Sequence, residues 1–115
     1  MMRNLIVATA FLITSYPAVA NFYDGNKLHD FMRDYELLEA KSPDADMKNA
    51  FFYAGYVAGI SDAYNDLICK PENTQLGQLW GVVAKYLKAH PERWNRPASE
   101  LILVALQDAY PCPKN

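Results

Sequence analysis

The chain has 115 residues, 51% of them hydrophobic, 13% aromatic and 21% charged, enough for one globular domain. It is too apolar for a disordered tail and too charged for a multi-span membrane protein. A net charge of -2, with only two His and two Cys, argues against phosphate-backbone binding and leaves little material for a metal site.

The first twenty residues read as an export signal. Arg3 supplies the positive start, Leu5 to Ile13 carries no charge, and Ala18-Val19-Ala20 is a small-x-small cleavage motif. The apolar run is shorter than a bilayer span requires, so cleavage after Ala20 is expected, with no membrane attachment afterwards. Loss of Arg3 moves the net charge from -2 to -3.

Helical signals dominate the chain from Asn21 onward, and no stretch alternates as a strand would. Leu28, Phe31, Met32, Tyr35 and Leu38 recur at helical spacing and predict a first helix over 26–40. Its acidic residues form a solvated face.

A second helix is predicted over 43–68. Ser42 reads as its N-cap, Pro43 suits the first position, and Asp44 and Asp46 complement the dipole. Its expected apolar face is Met47, Ala50, Phe51, Ala54, Val57, Ala58 and Tyr64. Gly55 and Gly59 lie one turn apart, and each costs roughly 0.5–1 kcal/mol relative to alanine in a helix interior. Close approach of another helix would offset that cost. Asp62 comes next on nearly the same face and would need partners if buried.

Pro71 ends this segment in a turn, and Thr74 can cap a third helix over 75–89. Leu76, Leu79, Trp80, Val83, Tyr86 and Leu87 make its stripe. Gly77 and Gly81 again lie four apart, which suggests a tight crossing of the second and third helices. After His90-Pro91, Pro97 suits the first position of a fourth helix running to about 109. Its six consecutive apolar residues, Leu101 to Leu106, make it central to the fold or shared with a second subunit. The expected class is all-α: a small four-helix domain.

Cys69 and Cys112 are the only cysteines. In an exported chain they allow one intramolecular bridge, with an intermolecular bridge as the other pairing. Their wide separation argues against a redox pair. Catalytic arrangements are missing. Ser61 and Ser99 lack a nucleophile-elbow context, and the two His have no paired spacing for zinc. Glu92 and Glu100 have no arrangement that suggests paired carboxylates. No cofactor, metal or catalytic residue is expected. The residues suit binding: Lys70, Glu72 and Asn73 in one loop, Arg93, Trp94 and Arg96 in another. Trp and Arg are enriched at interface hot spots, although Trp94 could instead fold back to cap the core.

The segment Phe52-Tyr53-Ala54-Gly55-Tyr56-Val57-Ala58-Gly59-Ile60-Ser61-Asp62-Ala63 is succeeded by Cys69-Lys70-Pro71, Gln78 and Val83-Ala84-Lys85-Tyr86-Leu87. Then come His90-Pro91-Glu92-Arg93, Pro97-Ala98, Ala105-Leu106 and Pro111-Cys112. In that order they resemble the Rap/Tai immunity-protein family. The resemblance implies a helical periplasmic protein with one intrachain disulfide, often a homodimer. Its partner would be a cognate peptidoglycan amidase effector delivered by type VI secretion, whose active-site cleft the immunity protein occludes. On this reading the glycines, Asp62, the cysteines and the prolines are scaffold. The alternative is an HdeA-like periplasmic acid-stress chaperone, made physically possible by the 13 acidic residues.

Overall fold

The computed structural model describes residues 22–114, and the expected signal segment and its cleavage site lie outside them. Four α-helices occur in order: α1 (Gly25–Glu39), α2 (Met47–Ala63), α3 (Leu76–Ala89) and α4 (Ala98–Ala109). Short 3-10 turns, Asn65–Leu67 and Pro91–Arg93, precede α3 and α4. One disulfide, Cys69–Cys112, staples the domain, with its Cα atoms 4.9 Å apart and a sequence separation of 43.

The caps explain the boundaries. Asp24 starts α1 by accepting the Lys27 amide at 3.0 Å. Lys41, in the left-handed region at φ 57°, turns the chain out of α1. There the Ser42 hydroxyl accepts the Asp44 amide, which spends the residue expected to cap α2 on a local turn. The cap of α2 is Asp46, which accepts the Asn49 amide at 3.1 Å. So α2 starts later than expected, and it ends at Ala63 rather than at 68. At α3 the cap is Gln75 rather than Thr74, and the Gln78 side chain accepts the Gln75 amide at 2.7 Å. Pro97 is the N-cap of α4.

Leu28, Phe31 and Met32 from α1, Tyr53 and Val57 from α2, Val83 and Leu87 from α3, and Ile102 and Leu106 from α4 form one core. The α4 run behaves as a central helix: Leu101, Ile102, Ala105 and Leu106 are buried, and Leu103 and Val104 are half-buried. Tyr53 is completely buried and donates its hydroxyl to the Trp80 carbonyl, while the Trp80 indole donates to the Ala54 carbonyl at 3.0 Å. These two bonds lock α2 to α3. Burial pushes the Tyr53 hydroxyl far above its ordinary pKa, so it stays a donor.

The buried face of α2 is Ala50, Tyr53, Val57 and Ser61. This corrects the expected face, because Met47, Phe51 and Tyr64 are exposed. The tight glycine crossing of α2 and α3 does not form within the chain either. Gly55, Gly59, Gly77 and Gly81 are exposed, and a Cβ added to any of them would meet nothing within 4 Å. Asp62 is exposed beside them. The bulk of Tyr53 and Trp80 fills the α2–α3 contact and leaves the glycines pointing away.

Gly25 is the glycine that the packing requires. A Cβ there would lie 2.7 Å from the Trp94 Cα and 2.8 Å from the Trp94 carbonyl oxygen. The segment around it is strapped to the α3–α4 connection. Gly25 N–H donates to the Arg96 carbonyl at 2.9 Å, Asn26 N–H to the Trp94 carbonyl at 2.9 Å, and Ala98 N–H to the Tyr23 carbonyl at 3.0 Å.

Asp34 joins α1 to the start of α2. Its carboxylate accepts the Asn49 side-chain amide at 2.9 Å and the Asp46 backbone amide at 3.1 Å. These donors, Asn49 first, hold its carboxyl below the ordinary 3.8. A lowered native pKa means stability that is present above the unfolded value and lost as pH falls through the native one. The stability gap between the wild type and Asp34→Asn is therefore complete above about pH 5 and closes below about pH 4. Denaturant titrations across that range measure it, and a gap independent of pH would contradict the assignment.

Candidate functional site

The first candidate loop leaves α2 through the 3-10 turn and is anchored at Cys69. Beyond the disulfide, the Cys69 amide donates to the Tyr110 carbonyl at 3.0 Å, and Ile68 is buried beneath it. The Thr74 amide closes a turn onto the Pro71 carbonyl at 3.0 Å. Between these ties Pro71, Glu72 and Asn73 are exposed in succession. Lys70 is not free: its ammonium donates to the Ser61 hydroxyl at 2.7 Å. Ser61 is 2% exposed, the one buried polar residue of α2, and Lys70 satisfies it. Some hydrolases use an amine on a serine hydroxyl. Here neither residue lines the cleft at Arg93 and Arg96, the one at Phe51 and Phe52, or the one at Val82 and His90. The contact fixes the loop root.

The second candidate loop is the 3-10 turn before α4. Trp94 is half-buried and folded back. Its indole donates to the Leu87 carbonyl at 2.8 Å, and its ring stacks on His29 with centroids 4.0 Å apart. This is the core-capping role, and it withdraws Trp94 from the set of exposed anchors. Arg93 donates to the Tyr86 hydroxyl at 2.6 Å, and Arg96 pairs with Glu100 at 3.4 Å. His90 Nδ1 lies 3.0 Å from a Glu92 carboxylate oxygen, and this hydrogen bond holds the Glu92 carboxyl below its ordinary range. A cleft of about 350 Å³ opens beside the turn, lined by Tyr86, Arg93, Asn95, Arg96, Glu100 and Leu101 among others. Its charges are mixed, with Arg96 paired to Glu100 and Arg93 bonded to the Tyr86 hydroxyl, which suits a polar contact surface.

The structure does not bring the two loops together. One precedes α3 and the other comes after it, and fourteen helical residues put them about 21 Å apart along the axis. A single narrow cleft on a partner could therefore accept only one of them as a plug. Among the described residues, no group of three or more His, Cys, Asp or Glu is placed to hold a metal ion. No helix of the described residues is long and apolar enough to cross a membrane.

Sequence reasoning did not find Gly25 or the Lys70–Ser61 bond. Gly25 depends on Trp94 and Leu101, far along the chain, and the Lys70–Ser61 bond spans nine residues with no local motif to announce it. Comparison with known proteins places the described domain. Residues 24–112 match the family model for Rap1a immunity proteins. No curated protein matches the chain in sequence.

Proposed function

The chain belongs to the Rap1a immunity-protein family, and from that premise we propose how it acts: in the periplasm, after removal of residues 1–20, it binds a cognate type VI peptidoglycan amidase effector and occludes its active site. Family membership decides between immunity and the acid-stress chaperone reading in favour of immunity. An immunity protein acts by binding, so its affinity and its rigidity are what matter.

The plug is the loop at Lys70–Asn73. The observation that carries this choice is its anchoring: a disulfide, the Cys69–Tyr110 backbone bond and the Lys70–Ser61 bond hold the root of three exposed residues. A loop held in one conformation avoids the ordering cost of about 0.5–1.5 kcal/mol per immobilised side chain. Arg93 and Arg96 at the other end of α3 form a secondary contact around the polar cleft. The immunity protein acts as a homodimer.

Reversing the charge and bulk of the loop tip tests the reading. Glu72→Arg with Asn73→Arg should weaken inhibition of the amidase by about 30-fold or more, the effect of removing hot-spot contacts of about 2 kcal/mol or more. Both residues are exposed, so the melting temperature should stay unchanged. Full inhibition by this variant, with inhibition lost instead in Arg93→Ala/Arg96→Ala, would move the plug to the other loop.

A further inference from the structure

The outer face of α2 is an apolar surface that the chain covers only along one flank, where Phe52 packs on Phe31 and Tyr23. Met47 is 56% exposed, Phe51 61% and Phe52 46%, and all three lie in the first half of the helix. The second half of the same face carries only small residues and a carboxylate: Ala58, Gly59, Asp62 and Ala63. Exposed aromatics clustered on one face mark an interaction site. Together with Lys48 and Gly55, these residues fill an arc of about 160° at 3.6 residues per turn, opposite the buried face of Ala50, Tyr53, Val57 and Ser61.

The order of these residues has a symmetry centred on Gly55. At equal distances on either side stand Phe52 and Ala58, Phe51 and Gly59, Lys48 and Asp62, and Met47 and Ala63. Each pair matches a large group with a small one, or a cation with an anion. That is the pattern an antiparallel two-fold contact demands, since residue i of one copy meets residue j of the other and j meets i.

We propose that α2 pairs with α2 of a second copy, antiparallel, with Gly55 on the two-fold axis. This rests on the homodimer reading above and assigns its interface. Gly55 meets its own counterpart, so the helix axes can approach closely. Phe51 packs beside Ala58 of the second copy and Phe52 beside Gly59. Lys48 pairs with Asp62 at each end, which sets the antiparallel register. The cleft of about 320 Å³ lined by Lys48, Phe51 and Phe52 receives the small-residue half of the other helix. The exposed Gly55 and Gly59, which cost helix stability and whose missing Cβ would meet nothing in the chain, are accounted for by this pairing.

The test uses the whole exported chain with its native disulfide intact. Gly55→Cys should form an intermolecular disulfide under mild oxidation, because the position faces itself across the axis. Gly77→Cys on α3 should not. In sedimentation, Lys48→Asp should weaken the dimer by about tenfold or more, and Lys48→Asp/Asp62→Lys should restore it. A wild-type chain that stays monomeric at several hundred micromolar (roughly the top of the range where such contacts act) would overturn both the pairing and the homodimer reading. A dimer that Gly55→Cys fails to cross-link and that Lys48→Asp leaves intact would overturn the register alone. Loss of amidase binding in Phe51→Asp with sedimentation unchanged would assign this face to the toxin and likewise overturn the pairing.

Discussion

Replacing Cys69 and Cys112 together by serine lowers the melting temperature by about 15–30 °C. With a sequence separation of 43 between the bridged positions, the chain-entropy model gives about 4 kcal/mol of stabilisation. For a domain of this size each kcal/mol moves the midpoint by about 4–8 °C. Total stabilities run about 5–15 kcal/mol, so the bridge carries a large share. Its position adds a local consequence. The bridge and the Cys69–Tyr110 backbone bond together tie the α2–α3 loop to the end of the chain. Without the bridge, the proposed plug loses one of its anchors as well. Thermal unfolding measured by circular dichroism, for the double variant and for the wild type in reductant, should give matching losses. A shift below about 4 °C, equivalent to less than 1 kcal/mol, would show that the helices hold without the staple.

Gly25→Ala should be the most damaging single methyl group added to this protein. The new Cβ would sit 2.5 Å from the Leu101 Cδ1, which can rotate away, and 2.7 and 2.8 Å from backbone atoms of Trp94, which cannot. Relief requires the N-terminal strap to lift from the α3–α4 connection. Lifting endangers the bonds from Gly25 to Arg96, from Asn26 to Trp94 and from Ala98 to Tyr23. Overpacking costs about 1–3 kcal/mol and each backbone bond adds about 0.5–1.5 kcal/mol. A loss of at least about 2 kcal/mol, or about 10 °C, is expected. Gly77→Ala is the matched control. It faces open space in an exposed helix, so it should stabilise by about 0.5–1 kcal/mol. Equal effects at the two positions would contradict the close approach at Gly25.

These two sites also show what could and could not be read from the chain. Two cysteines allow one intramolecular pairing, and that is the bridge present. The stripe Leu28-Phe31-Met32 belongs to a helix with one apolar and one charged side, so its period chose the buried face correctly. Along α2 the period could not choose. Phe51, Phe52, Tyr53 and Tyr56 are spread around the helix, and the side that meets α1 and Trp80 is set by neighbours distant in sequence. Asp46 rather than Ser42 caps α2 for a related reason. Ser42 and Asp46 both favour a helix start, and the left-handed turn at Lys41 commits Ser42 to a local hydrogen bond. Gly25 beside Asp24 looks like an ordinary turn, since its closest neighbours, Trp94 and Leu101, lie at the far end of the chain. The candidate loops were legible as proline-bounded segments. Their separation by the length of α3, and the inward fold of Trp94, emerged only with the structure.

The most direct measurement is a titration of the cognate peptidoglycan amidase effector with the purified, oxidised protein, with cell-wall hydrolysis as the readout. Hydrolysis should be lost at one immunity chain per enzyme, and unrelated amidases should be unaffected. Hydrolysis that continues undiminished at saturating protein, with no complex detected by calorimetry, would contradict a function by occlusion.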